Sequence, residues 1–135
     1  MSFPFFLSQV GSLGNDCADA GGHYNPLNVK HGRPGTGTDK RHAGDFGNVA
    51  ADADGTAGVS LVMNDTRLAD LVGRAVVVHE KEDTWGQPTG AAGRRLGCCV
   101  IREVASGAGL VHQRHLLATT GIVLMAVEIV ARFLF

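Results

Sequence analysis

Three histidines and an aspartate lie close together in the first half of the chain. His23, His31, His42 and Asp45 fall within 23 residues of a segment rich in Gly, Asn, Asp and Pro. Imidazole nitrogen is a preferred ligand for zinc and copper, and a carboxylate oxygen can complete a tetrahedral zinc site. His42 and Asp45 are three residues apart, so one turn would bring both to the same ion. A single loop histidine is more often metal-free, but this combination predicts a bound divalent metal.

The segment that holds these residues, Leu13 to Asn48, shows almost no hydrophobic periodicity. Its composition predicts a long ordered loop. Loops of this length are uncommon in compact domains and usually have a function. A metal would order the loop, because ligand binding supplies folding free energy that apolar burial does not supply here.

Beyond this loop the patterns favour β-structure. Residues 57–63 alternate larger and smaller side chains, and Val76–Val78 is a β-branched run typical of a buried strand. Asp54-Gly55 predicts a hairpin turn, and Glu80–Gly93 is expected to be a loop. The predicted strands are Gly47–Ala53, Ala57–Met63, Arg74–His79 and Leu96–Ile101.

Length and composition limit the class of protein. The 135 residues are enough for one domain. With 12 basic and 13 acidic residues the net charge is near zero, which argues against a general binder of nucleic acid or of anionic membranes. The 19 glycines favour turns and loops over long helices. The three cysteines permit at most one internal disulfide.

The two ends differ in character from the middle of the chain. Residues 1–12 are apolar without a positively charged start, so they are left unassigned, as a poorly specified terminus rather than a secretory signal. Residues 102–135 combine small residues, a polar spacer and an apolar tail over 116–135, which predicts an apolar C-terminal helix. The tail is interrupted by Glu128 and Arg132. Three interpretations stay open: a membrane span, a signal for a lipid anchor, and read-through sequence that packs on nothing.

Several motifs in the middle of the chain resemble a known family. They are Gly22-His23-Tyr24-Asn25-Pro26-Leu27, Lys30-His31-Gly32-Arg33-Pro34, Arg41-His42-Ala43-Gly44-Asp45-Phe46-Gly47-Asn48, Gly73–Lys81 and Gly93–Val100. In this order they resemble the copper/zinc superoxide dismutases. The sequences of the last two motifs are similar to those of the extracellular branch of this family. The resemblance extends from Leu13 to Ile101 and is to the C-terminal half of the family's sequence.

The resemblance implies a role for each metal-ligating residue. His23 would bridge copper and zinc through its imidazolate. His79, at the end of a strand, would be a copper ligand. The zinc site would be completed by His31, His42 and Asp45.

The resemblance also assigns residues that the spacing alone would leave as surface charges. Asp83 would orient metal-bound imidazoles as a carboxylate outside the ligand set. Arg95 would be the catalytic cation beside copper that attracts superoxide. Cys17 would form a disulfide with Cys98 and tie the metal loop to the last strand.

The family implies an all-β fold, a Greek-key β-sandwich or barrel that is truncated here at its N-terminus and carries long metal-binding loops. The partial domain would cover 13–101, with the unassigned segment 1–12 and the spacer and tail 102–135 outside it. The implied activity is disproportionation of superoxide to oxygen and hydrogen peroxide by a homodimer with zinc and copper. The implied location is extracellular or at the cell surface, with the cytoplasm as the alternative.

One departure from the family opens a second hypothesis. The family's His-x-His pair, which supplies two copper ligands, has no counterpart, because no histidine precedes His23. Copper would keep only two protein ligands, His23 and His79. The alternatives are a non-catalytic zinc-binding fragment, a module like the copper chaperone of this fold, or an incomplete gene product. The chain contains no Cys-x-Cys and no Cys-x-x-Cys, which argues against the chaperone.

Overall fold

Six β-strands dominate the part of the chain that the structure describes. This computed structural model describes residues 2–62, 66–102 and 126–132. Within those ranges the helical pieces are the 3-10 turn Ala18–Ala20 and the four-residue helix α1, Leu68–Leu71. The all-β class is therefore confirmed. The strands are β1 Ser2–Leu7, β2 Asp45–Ala50, β3 Thr56–Val62, β4 Ala75–His79, β5 Arg95–Val100 and β6 Ala126–Arg132.

The strands form two antiparallel sheets. Four make one sheet in the order β2-β1-β4-β5, and β3 pairs with β6 in another. A tight turn forms where Asp54-Gly55 predicted one: the Asp52 carboxylate accepts hydrogen bonds from the N–H groups of Asp54 (3.0 Å) and Thr56 (2.8 Å). The turn leads β3 out of the sheet that contains β2. The four predicted strands are thus present within three residues of their predicted bounds, but the two that flank this turn belong to different sheets.

β1 is the main departure from the sequence prediction, which left residues 1–12 unassigned. Ser2–Leu7 form a strand between β2 and β4, where Phe6 is paired with Asp45 on one side and Val77 on the other. The last four residues of β1 are buried. A central strand covered on both faces has a continuous apolar run instead of period-two alternation. Because residues 2–7 show no alternation, their sequence does not indicate a strand.

Alternation along β1 gives the four-stranded sheet two different faces. Phe5 and Leu7 pack into an apolar core with Val76 and Val78 of β4. Phe6 is not part of that core, and its ring contacts histidine rings on the opposite face. Each face of the sheet therefore has its own partner, the apolar core on one side and the long loop on the other. The core is completed by Phe46, Val49, Ala57 and Leu71.

The predicted long loop is present and runs from Gln9 to the start of β2. Two backbone hydrogen bonds and a disulfide are among the contacts that tie it to the sheet. Tyr24 N–H donates to the Leu7 carbonyl at 2.7 Å, and Leu7 N–H donates to the Gly44 carbonyl at 2.9 Å. The disulfide between Cys17 and Cys98 of β5 joins residues 81 positions apart and confirms the pairing that the family implied.

Only part of the predicted C-terminal helix is described, and that part is a strand. Residues 126–132 form β6, with Ile129 paired with Val59 of β3. β6 contains three β-branched residues, which favour extended backbone over helix. The helix prediction over 116–135 is therefore wrong for these seven residues, and the rest of the tail lies outside the described residues. In the described part of the chain, no helix is long and apolar enough to cross a bilayer.

Candidate metal centre

Three imidazoles and one carboxylate converge beside the start of β2. His23, His31, His42 and Asp45 each offer one potential ligand atom, and these atoms lie within 4.8 Å of one another. All four residues are buried. Asp45 Oδ1 lies 2.8 Å from His23 Nδ1 and 3.2 Å from His42 Nδ1, and Asp45 Oδ2 lies 3.0 Å from His31 Nδ1. We call these four residues the histidine–aspartate cluster.

The cluster has the donor set and the spacing of a zinc site. Zinc accepts imidazole nitrogen and carboxylate oxygen, and a tetrahedron with ligands about 2.0 Å from its centre has edges of about 3.3 Å. His23 Nδ1 and His42 Nδ1 lie 3.3 Å apart. His31 Nδ1 is buried and has no hydrogen-bond partner, although Asp45 is near. Burying an unpartnered polar atom is costly, and a cation within the cluster would remove that cost.

Backbone N–H groups hold the Asp45 carboxylate in place. Asp45 Oδ2 accepts hydrogen bonds from the N–H groups of Gly32 and His42, each 3.0 Å long. Burial alone would raise the pKa of Asp45, but the close contacts with His23 and His31 and the hydrogen bond from the Gly32 N–H outweigh it and hold the pKa well below its ordinary value. The carboxylate is therefore ionised at neutral pH, as a metal ligand must be.

Burial and charge act in opposite directions on the imidazoles. Burial lowers the pKa of His31, but the two neighbouring carboxylates, Asp45 and Asp83, outweigh it, so the pKa is raised overall. For His42, burial has the larger effect and the neighbouring imidazoles add to it, so its pKa is lowered despite Asp45. His42 is therefore neutral at neutral pH and can donate a lone pair to a metal.

Asp83 supports the cluster from the loop after β4. Both of its carboxylate oxygens lie 3.0 Å from His31 Nε2. Because a carboxylate only accepts here, the proton sits on Nε2 and the Nδ1 lone pair is left for the cluster. Asp83 is itself held by the Trp85 N–H, which donates to Oδ1 at 2.7 Å, and by the Asn48 side chain, which accepts from the Asp83 N–H at 2.9 Å.

His79 and Arg95 lie opposite each other on β4 and β5. His79 Nδ1 donates to the Gly93 carbonyl at 3.1 Å, which leaves Nε2 with its lone pair. Burial lowers the pKa of His79; the bond to Gly93 opposes this effect and the charge of Arg95 adds to it, so the pKa is lowered overall. The Arg95 guanidinium donates to the carbonyls of Cys17 and Gly21, the latter at 2.6 Å, which fixes its charge at the base of the loop.

The structure does not bring His79 into the cluster. The Phe6 ring lies between them and contacts both His79 and the cluster residue His23. The Phe6 side chain is fully buried. Its ring stacks on the His23 ring with 3.9 Å between centroids and meets the His79 ring edge-on at 5.3 Å. Of the copper ligands that the resemblance implies, only His23 and His79 are present. A hydrocarbon ring offers no ligand atom, so the residues described here do not fit a four-ligand copper site.

Three residues that shape the site carry no sequence signal of their role. Phe6 belongs to the segment left unassigned, and its role depends on a register that periodicity does not show. Asn48 lies where the predicted loop and the predicted strand Gly47–Ala53 overlap, and no sequence pattern indicates its contact with Asp83. Gly90 has φ of +77° and lies so close to Asp83 that a Cβ atom would collide with its carboxylate. The Thr-Gly pair at 89–90 was a local signal for such a backbone, but not for what approaches it.

Comparisons with known proteins agree with this geometry. The family model described as copper/zinc superoxide dismutase matches residues 2–101, so the match begins in β1 and not at residue 13 as the motifs indicated. The extracellular Cu-Zn superoxide dismutase of Caenorhabditis elegans is 38% identical over 126 residues, covering 86% of this chain and 53% of the relative. The chain thus spans about half the length of this relative. A solved structure, that of the clock protein EA4, is 33% identical with a TM-score of 0.64, covering 74% of this chain and 69% of that one.

Proposed function

The chain belongs to the copper/zinc superoxide dismutase family, a family of oxidoreductase enzymes, and we propose that its own metal chemistry is the binding of one zinc ion in the histidine–aspartate cluster. The observation that carries the proposal is the buried His31 Nδ1, which has no hydrogen-bond partner in the middle of a ready donor set. Three neutral imidazoles and one carboxylate would leave a single positive charge with zinc, a modest charge to bury.

Zinc would act here as a structural ion. It has no accessible redox change, so its contribution is to fix the ligands to each other. Those ligands come from separate parts of the long loop and from the first residue of β2. A bound ion would therefore hold the loop to the sheet in a region that buries few apolar side chains, and its binding free energy would count toward folding.

The test is metal content and thermal unfolding of the full chain after refolding with zinc. We expect about one zinc per chain and a lower unfolding temperature after chelation. His42→Ala should lose most of the bound zinc. The matched control is His79→Ala, which also removes a partly buried imidazole but one outside the cluster, and it should keep the ion. Equal zinc content in both variants would refute the proposal.

Superoxide dismutation by this chain is the second candidate. It is favoured by the pairing of His79 with Arg95, which keeps one implied copper ligand next to a fixed positive charge that would attract an anion. Disproportionation needs a metal that accepts and returns one electron, and copper, when bound, supplies that chemistry. The test is superoxide consumption by the chain loaded with zinc and then offered copper. A rate above that of the His79→Ala variant would support dismutation. Equal rates would refute it and leave zinc binding as the proposed function.

Partners and location follow the family as proposals. Superoxide is the substrate that the family implies, and the homodimer and the Greek-key strand connection are expectations taken from it. The C. elegans relative is extracellular. The disulfide between Cys17 and Cys98 fits an oxidising compartment, which favours the extracellular location over the cytoplasm. Sedimentation of the full chain tests the dimer, and detection of the chain in culture medium tests secretion.

A further inference from the structure

The rings of His23, Phe6 and His79 are packed together on the loop side of the sheet. Phe6 stacks on His23 with 3.9 Å between centroids and 19° between planes. It meets His79 at 5.3 Å and 81°, and His31 at 5.9 Å and 68°. The phenyl ring thus fills the space that the imidazoles of His23 and His79 would have to share in order to hold an ion together.

Phe6 cannot leave this position by a small adjustment of the strand. Its backbone is paired with Asp45 of β2 and Val77 of β4, and its side chain is fully buried. A slip of one residue would exchange the two faces of β1 and put Phe5 and Leu7 on the loop side. The sheet therefore fixes the ring against the imidazoles.

One ring nitrogen of His23 already faces the histidine–aspartate cluster. Its Nδ1 lies 2.8 Å from Asp45 Oδ1, inside the histidine–aspartate cluster. An ion shared with His79 would have to use the other nitrogen of His23, next to a ring that offers no lone pair. Two imidazoles with no further protein donor would fill only half of the square-planar positions that copper(II) prefers.

We propose that Phe6 is the residue that restricts this metal centre to a single ion, by filling the position that a second ion would take between His23 and His79. The proposal rests on the zinc-binding function proposed above, because that function orients His23. Ser8 extends the same feature. It lies two residues after Phe6, is buried and is bridged to His23, so strand alternation places it on the loop side as well.

The experiment compares metal stoichiometry in the full chain and in the double variant Phe6→His with Ser8→His. Each protein is loaded with zinc, offered copper(II), desalted, and analysed for both metals and by electron paramagnetic resonance. We expect the parent chain to hold about one ion, and the double variant to hold about two, one of them copper with nitrogen hyperfine structure. Phe6→Leu is the matched control, since it keeps an apolar side chain without a donor, and it should stay at about one ion.

Several results would overturn the proposal. One is a parent chain that holds zinc and copper together, with a copper signal that disappears in His79→Ala. Another is a double variant that keeps its sheet circular dichroism and its zinc but gains no copper. If the double variant does not fold, Phe6→His alone provides the same comparison with three imidazoles. A parent chain without zinc would refute the zinc-binding function, while a gain of copper in the variant would still support the role of Phe6.

Discussion

Asp83 holds His31 by its Nε2 atom, with both carboxylate oxygens 3.0 Å away, across 52 residues of sequence. This contact joins the loop after β4 to the histidine–aspartate cluster. It also fixes which ring nitrogen of His31 faces the cluster. A carboxylate that orients a ligating imidazole in this way strengthens metal binding without touching the metal.

Replacing Asp83 with Asn should therefore weaken zinc binding without abolishing it. The amide keeps the shape of the side chain but removes the negative charge and one acceptor, so we expect a loss of about 10- to 100-fold in zinc affinity. Competition with a chromophoric chelator measures the change. Asp54→Asn, in an exposed turn away from the cluster, is the control and should leave the affinity unchanged. An unchanged affinity in Asp83→Asn would show that the contact has no part in metal binding.

Gly90→Ala should have a similar effect by a steric route. A Cβ atom at residue 90 would collide with the Asp83 carboxylate and lie 2.9 Å from His31 Nε2, and φ is +77°. We expect about a tenfold loss of zinc affinity and about 1–3 kcal/mol of lost stability. Gly86→Ala is the control in the same loop, since its Cβ would make only an ordinary contact at 3.5 Å. Chemical denaturation with zinc present measures the stability, and equal behaviour of the two variants would contradict the prediction.

Removing the disulfide should destabilise the fold much more than removing the third cysteine. Cys17 and Cys98 close a loop of 81 residues, and loss of such a cross-link costs about 2–5 kcal/mol. Cys17→Ser should show this loss in urea unfolding, while Cys99→Ser, which removes the free thiol, should unfold close to the parent midpoint. The prediction fails if both variants unfold at the same urea concentration.

Cys99 should react slowly with alkylating reagents at neutral pH despite its exposure. Desolvation by the neighbouring protein raises the pKa of the Cys99 thiol, and the thiolate is the reactive form. A raised pKa keeps the thiol protonated through neutral pH, so the alkylation rate should still be rising above pH 9. Mass spectrometry of iodoacetamide labelling between pH 7 and 10 checks this, with glutathione as the reference. A rate that levels off below pH 9 would contradict it.

The sequence was most informative where the residues that act together are close in the chain. The histidine–aspartate cluster could be predicted because its three histidines and Asp45 lie within one stretch of 23 residues, and β4 could be predicted because Val76–Val78 is a β-branched run. The roles of Asp83 and Arg95 came from the family resemblance alone. Their own local sequence is that of charged loop residues.

The sequence was least informative where position depends on pairing between distant strands. β1 has apolar residues on both faces, so its alternation is hidden, and only the register with β2 and β4 puts Phe6 against His23. The same limit applies to β6, whose apolar composition suits a helix or a strand until β3 pairs with it. Gly90 illustrates a third case, in which the constraint comes from a side chain that approaches from another part of the loop.

The most direct test of the zinc centre is X-ray absorption at the zinc edge on the zinc-loaded full chain. Three imidazole nitrogens and one carboxylate oxygen predict four light-atom ligands at about 2.0 Å with the outer-shell scattering of about three imidazole rings. That scattering should fall by about one ring in His42→Ala if zinc is retained at all. A sulfur shell near 2.3 Å, or six oxygen ligands without imidazole scattering, would contradict the assignment of zinc to these four residues.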